Sequence, residues 1–93
     1  MRNIYETNAF KRDVKREAKG RHAKTLKTDL GAVLVALAND TPLEPRHRDH
    51  ALTGQWVGTR DCHVKPDLVL LYQKPDDETL TLVRLGSHSE LDL

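Results

Sequence analysis

The chain has 93 residues, enough for one domain with a modest core, and its 38% hydrophobic and 31% charged content excludes disorder as the default. A single cysteine, Cys62, excludes an intrachain disulfide and fits a reducing cytosol; the longest apolar run, 32–38, falls short of the roughly 20 residues that span a membrane, and MRNIYETNAF has no signal-like apolar region. Net charge is +1, yet residues 1–60 carry 12 Lys+Arg against 7 Asp+Glu and residues 61–93 carry 3 against 7, which allows a basic face suited to a phosphate-bearing or acidic protein partner.

Arg2 to Glu6, with Ile4 and Tyr5, meets the N-cap formers Thr7 and Asn8, predicting a short strand that passes into a helix. From Ala9 to Lys19 the apolar positions Phe10, Val14 and Ala18 recur every four residues among Lys11, Arg12, Lys15 and Arg16, which describes a basic helix closed by Gly20. From His22 to Asn39, Leu26, Leu30, Val33, Leu34 and Leu37 recur at intervals of three and four and predict a long second helix. A turn as short as Gly20-Arg21 folds the two into an antiparallel hairpin. Pro42 and Pro45 make a surface loop of residues 39–48.

Trp56 to Val64 reads as a strand despite Gly58, Lys65-Pro66-Asp67 as a tight turn, and Leu68 to Gln73 as a central strand. After a polar turn at 74–78, Thr79 to Leu85 is a further β segment, and the tail from Gly86 to Leu93 carries His88. The expected fold class is α+β: an N-terminal strand, an antiparallel helix hairpin and a three-stranded antiparallel meander joined in one sheet, within a single domain of residues 1–93.

The chemistry concentrates between His47 and Asp67, HRDHALTGQWVGTRDCHVKPD, which holds three of the five histidines with the only tryptophan and cysteine. With His88 and Arg84 the polar constellation is His47, His50, His63, His88, Asp67, Arg60 and Arg84. Phosphodiester transfer in RNA needs a base for the 2′-hydroxyl proton, an acid for the leaving 5′-oxygen and cations for the phosphorane-like charge, and these types supply all three without a metal. A metal site built on His47, His50, Cys62, His63 or His88 is the rival chemistry, though no C-x-x-C or H-E-x-x-H spacing occurs. Strict alternation sets Arg60 and Cys62 on one strand face and Asp61 and His63 on the other, so Arg60 and His63 share a site only if a bulge intervenes or His63 sits at the strand end. Trp56 and Cys62 read as packing residues.

The succession RDH-x-L-x-G-x-W-x-G-x-RD-x-HV-x-PD, an apolar strand ending in Leu71-Tyr72, and R-x-G-S-H near the C-terminus resemble the YafQ branch of the RelE/ParE superfamily of bacterial toxins, across essentially the whole chain. The resemblance implies a RelE-like fold and a cytoplasmic endoribonuclease of a type II toxin–antitoxin system that cleaves messenger RNA on the ribosome without metal or other cofactor. Its partners are a cognate antitoxin, mRNA and ribosomal RNA. Family histidines match at His50, His63 and His88 and the family acid at Asp67, while Arg60 and Arg84 match arginines suited to phosphate. His50 and His63 are candidate base and acid in either order, with Asp67 and His88 supporting or sharing proton transfer; turn capping is the alternative for Asp67. Lys24 and Lys27 are candidates for RNA contact, and His22 and His47 read as solvated surface. Leu68 replaces a frequent tryptophan and Leu91-Asp92-Leu93 a usual aromatic, removing a base-stacking platform worth about 1–3 kcal/mol per base. The alternative function is a non-catalytic toxin-fold protein that inhibits another target such as DNA gyrase.

Overall fold

A computed structural model describes residues 1–93. β1 (Asn3–Glu6) leads into α1 (Asn8–Glu17) and α2 (Leu26–Ala38), followed by β2 (His50–Ala51), β3 (Arg60–Lys65), β4 (Leu68–Gln73) and β5 (Thr79–Gly86). The strands form one sheet in the order β1-β5-β4-β3-β2, with β1 parallel to β5 and every other pair antiparallel. The expected α+β class and the β3–β4–β5 meander are therefore present. No helix is long and apolar enough to cross a membrane.

Thr7 caps α1 as its residue type predicts, its backbone extended and its Oγ1 accepting the Phe10 N–H at 3.0 Å. The helices are shorter than their periodicity suggested, because residues 18–25 form successive turns in place of a tight Gly20-Arg21 hairpin. Gly20 and the β-branched Thr25 weaken helix at the two flanks. α2 lays Leu26, Leu30, Val33 and Leu37 on one sheet face beside Phe10, against Leu68, Leu70, Tyr72, Leu80, Leu82 and Leu85. Each such buried aliphatic side chain contributes about 1.5–3 kcal/mol.

Two strands differ from expectation. β2 is only two residues long, too short for any alternation to announce it. β3 begins at Arg60 because Gly54 and Gly58 take φ of +67° and +90°, bending 54–58 into a turn that no extended strand accommodates. Trp56 ends this turn and packs against the opposite sheet face with Leu52, Val69, Leu71, Val83 and Leu91, a packing role as expected.

β5 contains a bulge. Its partners on β4 run Leu71↔Arg84 and then Tyr72↔Leu82, leaving Val83 without an opposite residue. Leu82 and Leu85 consequently both face the helices, and Arg84 turns to the open side. β1 covers the edge of β5 only as far as Leu82. Beyond it, side chains complete the ladder: Thr7 Oγ1 donates to the Val83 carbonyl (2.8 Å), Asp13 accepts the Leu85 N–H (3.0 Å) and Arg16 donates to the Leu85 carbonyl (2.8 Å).

Candidate active site

Strand pairing arranges the open sheet face in rows. His50, Asp61, Leu71 and Arg84 stand opposite one another across β2 to β5, and His63, Val69 and Gly86 form the next row. After Gly86 the chain folds back over this face, held by Leu91, which is 3% exposed and packs on Val69 and Leu71. The His88 ring thereby comes to 5.0 Å from that of His63, centroid to centroid, at an interplanar angle of 56°.

Asp61 occupies the centre. Its side chain is 3% exposed, with Oδ2 4.0 Å from His50 Nε2 and Oδ1 3.8 Å from His63 Nε2. Neither distance is a hydrogen bond, and Oδ1 is buried without a partner. A buried carboxylate among imidazoles can balance the charge of whichever ring has taken a proton. Alternation puts Asp61 on the face of His63, but its position between His50 and His63 depends on the two-residue β2, which sequence pattern does not announce.

His50 Nδ1 lies 2.6 Å from the Arg48 carbonyl. A carbonyl only accepts, so Nδ1 carries the hydrogen and a neutral His50 presents the Nε2 lone pair, the form a general base requires. Arg48 aims that carbonyl from the left-handed region, φ 47° and ψ 43°. His47, expected at the surface, is instead half-buried and donates from Nδ1 to the His63 carbonyl at 2.6 Å. The β3 bulge falls between His63 and Lys65, after His63, and does not bring Arg60 across.

Arg60 pairs with Tyr72 in the sheet and so lies on the face opposite the histidines, as alternation required. Its Nε lies 3.2 Å from Asp49 Oδ1 and 3.3 Å from the Tyr72 hydroxyl, which donates to the same Asp49 oxygen at 2.5 Å. The hydrogen bond to Asp49 holds the guanidinium above its ordinary range. Arg60 thus clamps the loop that precedes His50 and is not brought to the histidines. Asp67 is not brought there either: in the β3–β4 turn it is ion-paired with Arg21 and lies 3.1 Å from His22 Nε2. His22, expected at the surface, is only 15% exposed, and its Nε2 makes no hydrogen bond despite that proximity. Lys24, in the turn before α2, and Lys27, in the first turn of α2, are exposed, and α2 lies in the layer on the far side of the sheet.

Arg84 does reach the open face. Its Nε and one terminal nitrogen bind Asp13 at 2.7 and 3.2 Å, while NH1 has no protein partner. Hydrogen bonding to Asp13 raises its already high pKa. Cys62 is fully buried, and burial pushes its thiol well above the ordinary 9.0, which leaves it a packing residue. The donor atoms of Asp61, His63 and His88 all lie within 4.8 Å of one another, one carboxylate and two imidazoles, a set that first-row divalent metals accept.

A mixed sheet, shielded by helices on one side and bearing three histidines around a buried aspartate on the other, defines a small toxin-fold protein. The chain belongs to the YafQ family: residues 2–93 match the family described as bacterial toxin of type II toxin-antitoxin system, YafQ. The mRNA interferase toxin YafQ of Escherichia coli K12 is 40% identical over 92 residues, covering 98% of this chain and 96% of that protein. A Haemophilus influenzae protein named as a YafQ toxin is 45% identical over 60 residues, which span 61% of this chain and 59% of its own length. Among solved structures, a copper-bound mutant toxin from Helicobacter pylori superposes with TM-score 0.85 at 36% identity, covering 98% of this chain and 99% of that one. YafQ in the E. coli DinJ-YafQ complex superposes with TM-score 0.80 at 33% identity, covering 98% of each chain.

Proposed function

We propose that this toxin is a ribosome-dependent mRNA interferase that cleaves by acid–base transphosphorylation on the face formed by His50, Asp61, His63, His88 and Arg84. The activity is the one named for the E. coli relative. The observation that carries the mechanism is the 2.6 Å contact between His50 Nδ1 and the Arg48 carbonyl, which leaves Nε2 free as a base. His50 takes the 2′-hydroxyl proton, the 2′-oxygen forms a bond to phosphorus, and the bond from phosphorus to the 5′-oxygen breaks. The resulting imidazolium faces Asp61. His88, backed by His63, gives its proton to the leaving 5′-oxygen, and the free NH1 of Arg84 meets the charge on the phosphoryl oxygens. The products are a 2′,3′-cyclic phosphate and a 5′-hydroxyl. Site of action and partners follow: the cytoplasm, a translated message on its ribosome, and a cognate antitoxin in the manner of DinJ with the E. coli protein.

The test is cleavage of a translated message with analysis of the product ends. His50→Ala and His88→Ala should each lose about 10²–10⁴-fold in rate while remaining folded. Full activity in both variants, or 5′-phosphate ends, overturns the mechanism.

A second reading concerns metal. The mutant Helicobacter pylori toxin is copper-bound, and Asp61, His63 and His88 have the donor set for a divalent ion. Such an ion would occupy imidazole lone pairs that must exchange protons, which makes it a competitor of catalysis. Stoichiometric Cu²⁺ or Zn²⁺ should slow cleavage and EDTA restore it. Stimulation by the metal would reverse this assignment.

A further inference from the structure

We infer that Asp13 of α1 is a positioning residue for the site, acting through Arg84 to fix the guanidinium that meets the scissile phosphate. This rests on the proposed role of Arg84 as the phosphate-binding cation.

Asp13 is the one acidic residue on the stretch of α1 between Lys11 and Arg16, and its side chain is 4% exposed, whereas the lysines and arginines around it are exposed. Burying a carboxylate is unfavourable unless its oxygens are met. Oδ2 accepts the Leu85 N–H at 3.0 Å and Arg84 Nε at 2.7 Å, and Oδ1 accepts Arg84 NH2 at 3.2 Å and Arg16 NH1 at 3.0 Å. The Leu85 bond fixes the carboxylate to the strand itself, one residue from the side chain it orients. Two of the three guanidinium nitrogens are thus tied, so the planar fork has a single orientation, and NH1 is the corner left for a ligand. The bulge at Val83 is what lets the two meet. Arg84 faces the open side while the next backbone N–H reaches the α1 carboxylate at the uncovered edge of β5.

The same helix also braces the other end of the site. Arg16 Nε lies 3.2 Å from Glu90 Oε2, and Glu90 Oε1 accepts the Ser87 N–H at 2.9 Å, closing the turn that presents His88. Gly86 admits this pair: a Cβ there would come within 2.9 Å of Arg16 NH2 and 3.2 Å of Glu90 Oε1. The geometry therefore places both Arg84 and the His88 turn on supports from α1, with Asp13 supporting the group that touches the phosphate.

The experiment is a double-substitution cycle on single-turnover cleavage of a translated message, with thermal unfolding of every variant. Asp13→Asn keeps side-chain size and an oxygen for the Leu85 N–H but surrenders the second carboxylate oxygen and the charge. It should slow cleavage roughly 10- to 100-fold, the scale expected for a misplaced binding group. In an Arg84→Lys background it should have no further effect on rate. Asp13→Glu, which retains the charge but displaces it, should show the same loss and the same silence in that background. An equal loss from Asp13→Asn in both backgrounds means a general structural role and overturns the inference. If Arg84→Lys and Arg84→Ala both cleave at the parent rate, the role of Arg84 fails instead, and that of Asp13 with it.

Discussion

His47 donates from Nδ1 to the main-chain carbonyl of His63 across 2.6 Å, tying the loop before β2 to the strand position that carries a site histidine. Three residues later His50 is held to the Arg48 carbonyl at the same distance, so one short segment sets both rings. His47→Phe should preserve the bulk and lose the donor, leaving a part-buried carbonyl unpaired at a cost of about 1–3 kcal/mol. Thermal unfolding would register that loss, and cleavage should fall by more than the change in folded fraction accounts for. Parent-level cleavage by the folded variant would mean the His63 backbone does not depend on this contact.

Arg60 gives a contrast between two arginines that the sequence treated alike. Arg60→Gln removes the clamp on Asp49 and Tyr72, and because the side chain is 41% exposed the stability loss should be small, up to about 1 kcal/mol. Its binding to message-loaded ribosomes should keep the salt dependence of the parent protein. Arg84→Gln should reduce that dependence, since a phosphate contact is lost. A reduced salt slope for Arg60→Gln would return that residue to the RNA-binding surface.

Leu91 anchors the tail and Leu30 anchors α2, and both are buried. Leu91→Ala and Leu30→Ala should each cost about 2–5 kcal/mol, less if the surroundings relax. At a temperature where both variants are folded, only Leu91→Ala should impair cleavage, because it releases the turn that presents His88. Equal activity of the two would detach the tail from the mechanism.

Acid stability follows from Asp13. Burial works to raise its pKa, but hydrogen bonds from Arg84 and the Leu85 N–H and the charges of Arg84 and Arg16 outweigh it, leaving the carboxyl below its ordinary 3.8. A depressed folded value means that the stabilisation is full above about 3.8 and is lost as the pH falls further, through the lowered folded value. Chemical denaturation of parent and Asp13→Asn should therefore show a stability gap at neutral pH that narrows below that point. A gap that widens on acidification contradicts the sign.

Much of this was legible from local pattern. The leucines of α2 and the continuous apolar run of β4 declare themselves, since each depends on neighbours within a few residues. Alternation along β3 already separated Arg60 from His63. What escaped depends on distant partners. β2 is two residues that exist as a strand only because His50 and Ala51 meet Asp61 and Arg60. The ion pair of Arg21 with Asp67 joins the helix connection to a turn more than 40 residues away. Asp13 looks like one acid in a basic helix until the uncovered edge of β5 is placed beside it.

The unpaired Val83 has a consequence beyond packing. Absorbing that residue as a bulge decides which side of the sheet each later position of β5 addresses, so the chemical side of this protein is encoded by backbone geometry as well as by residue identity. Were β5 to pair with β4 without the bulge, Val83 taking its place in ordinary alternation, every charged group would remain in the chain, yet Arg84 would turn into the oily layer and Leu85 out to the open face. Ribonuclease and inert protein would then differ by the phase of a single strand.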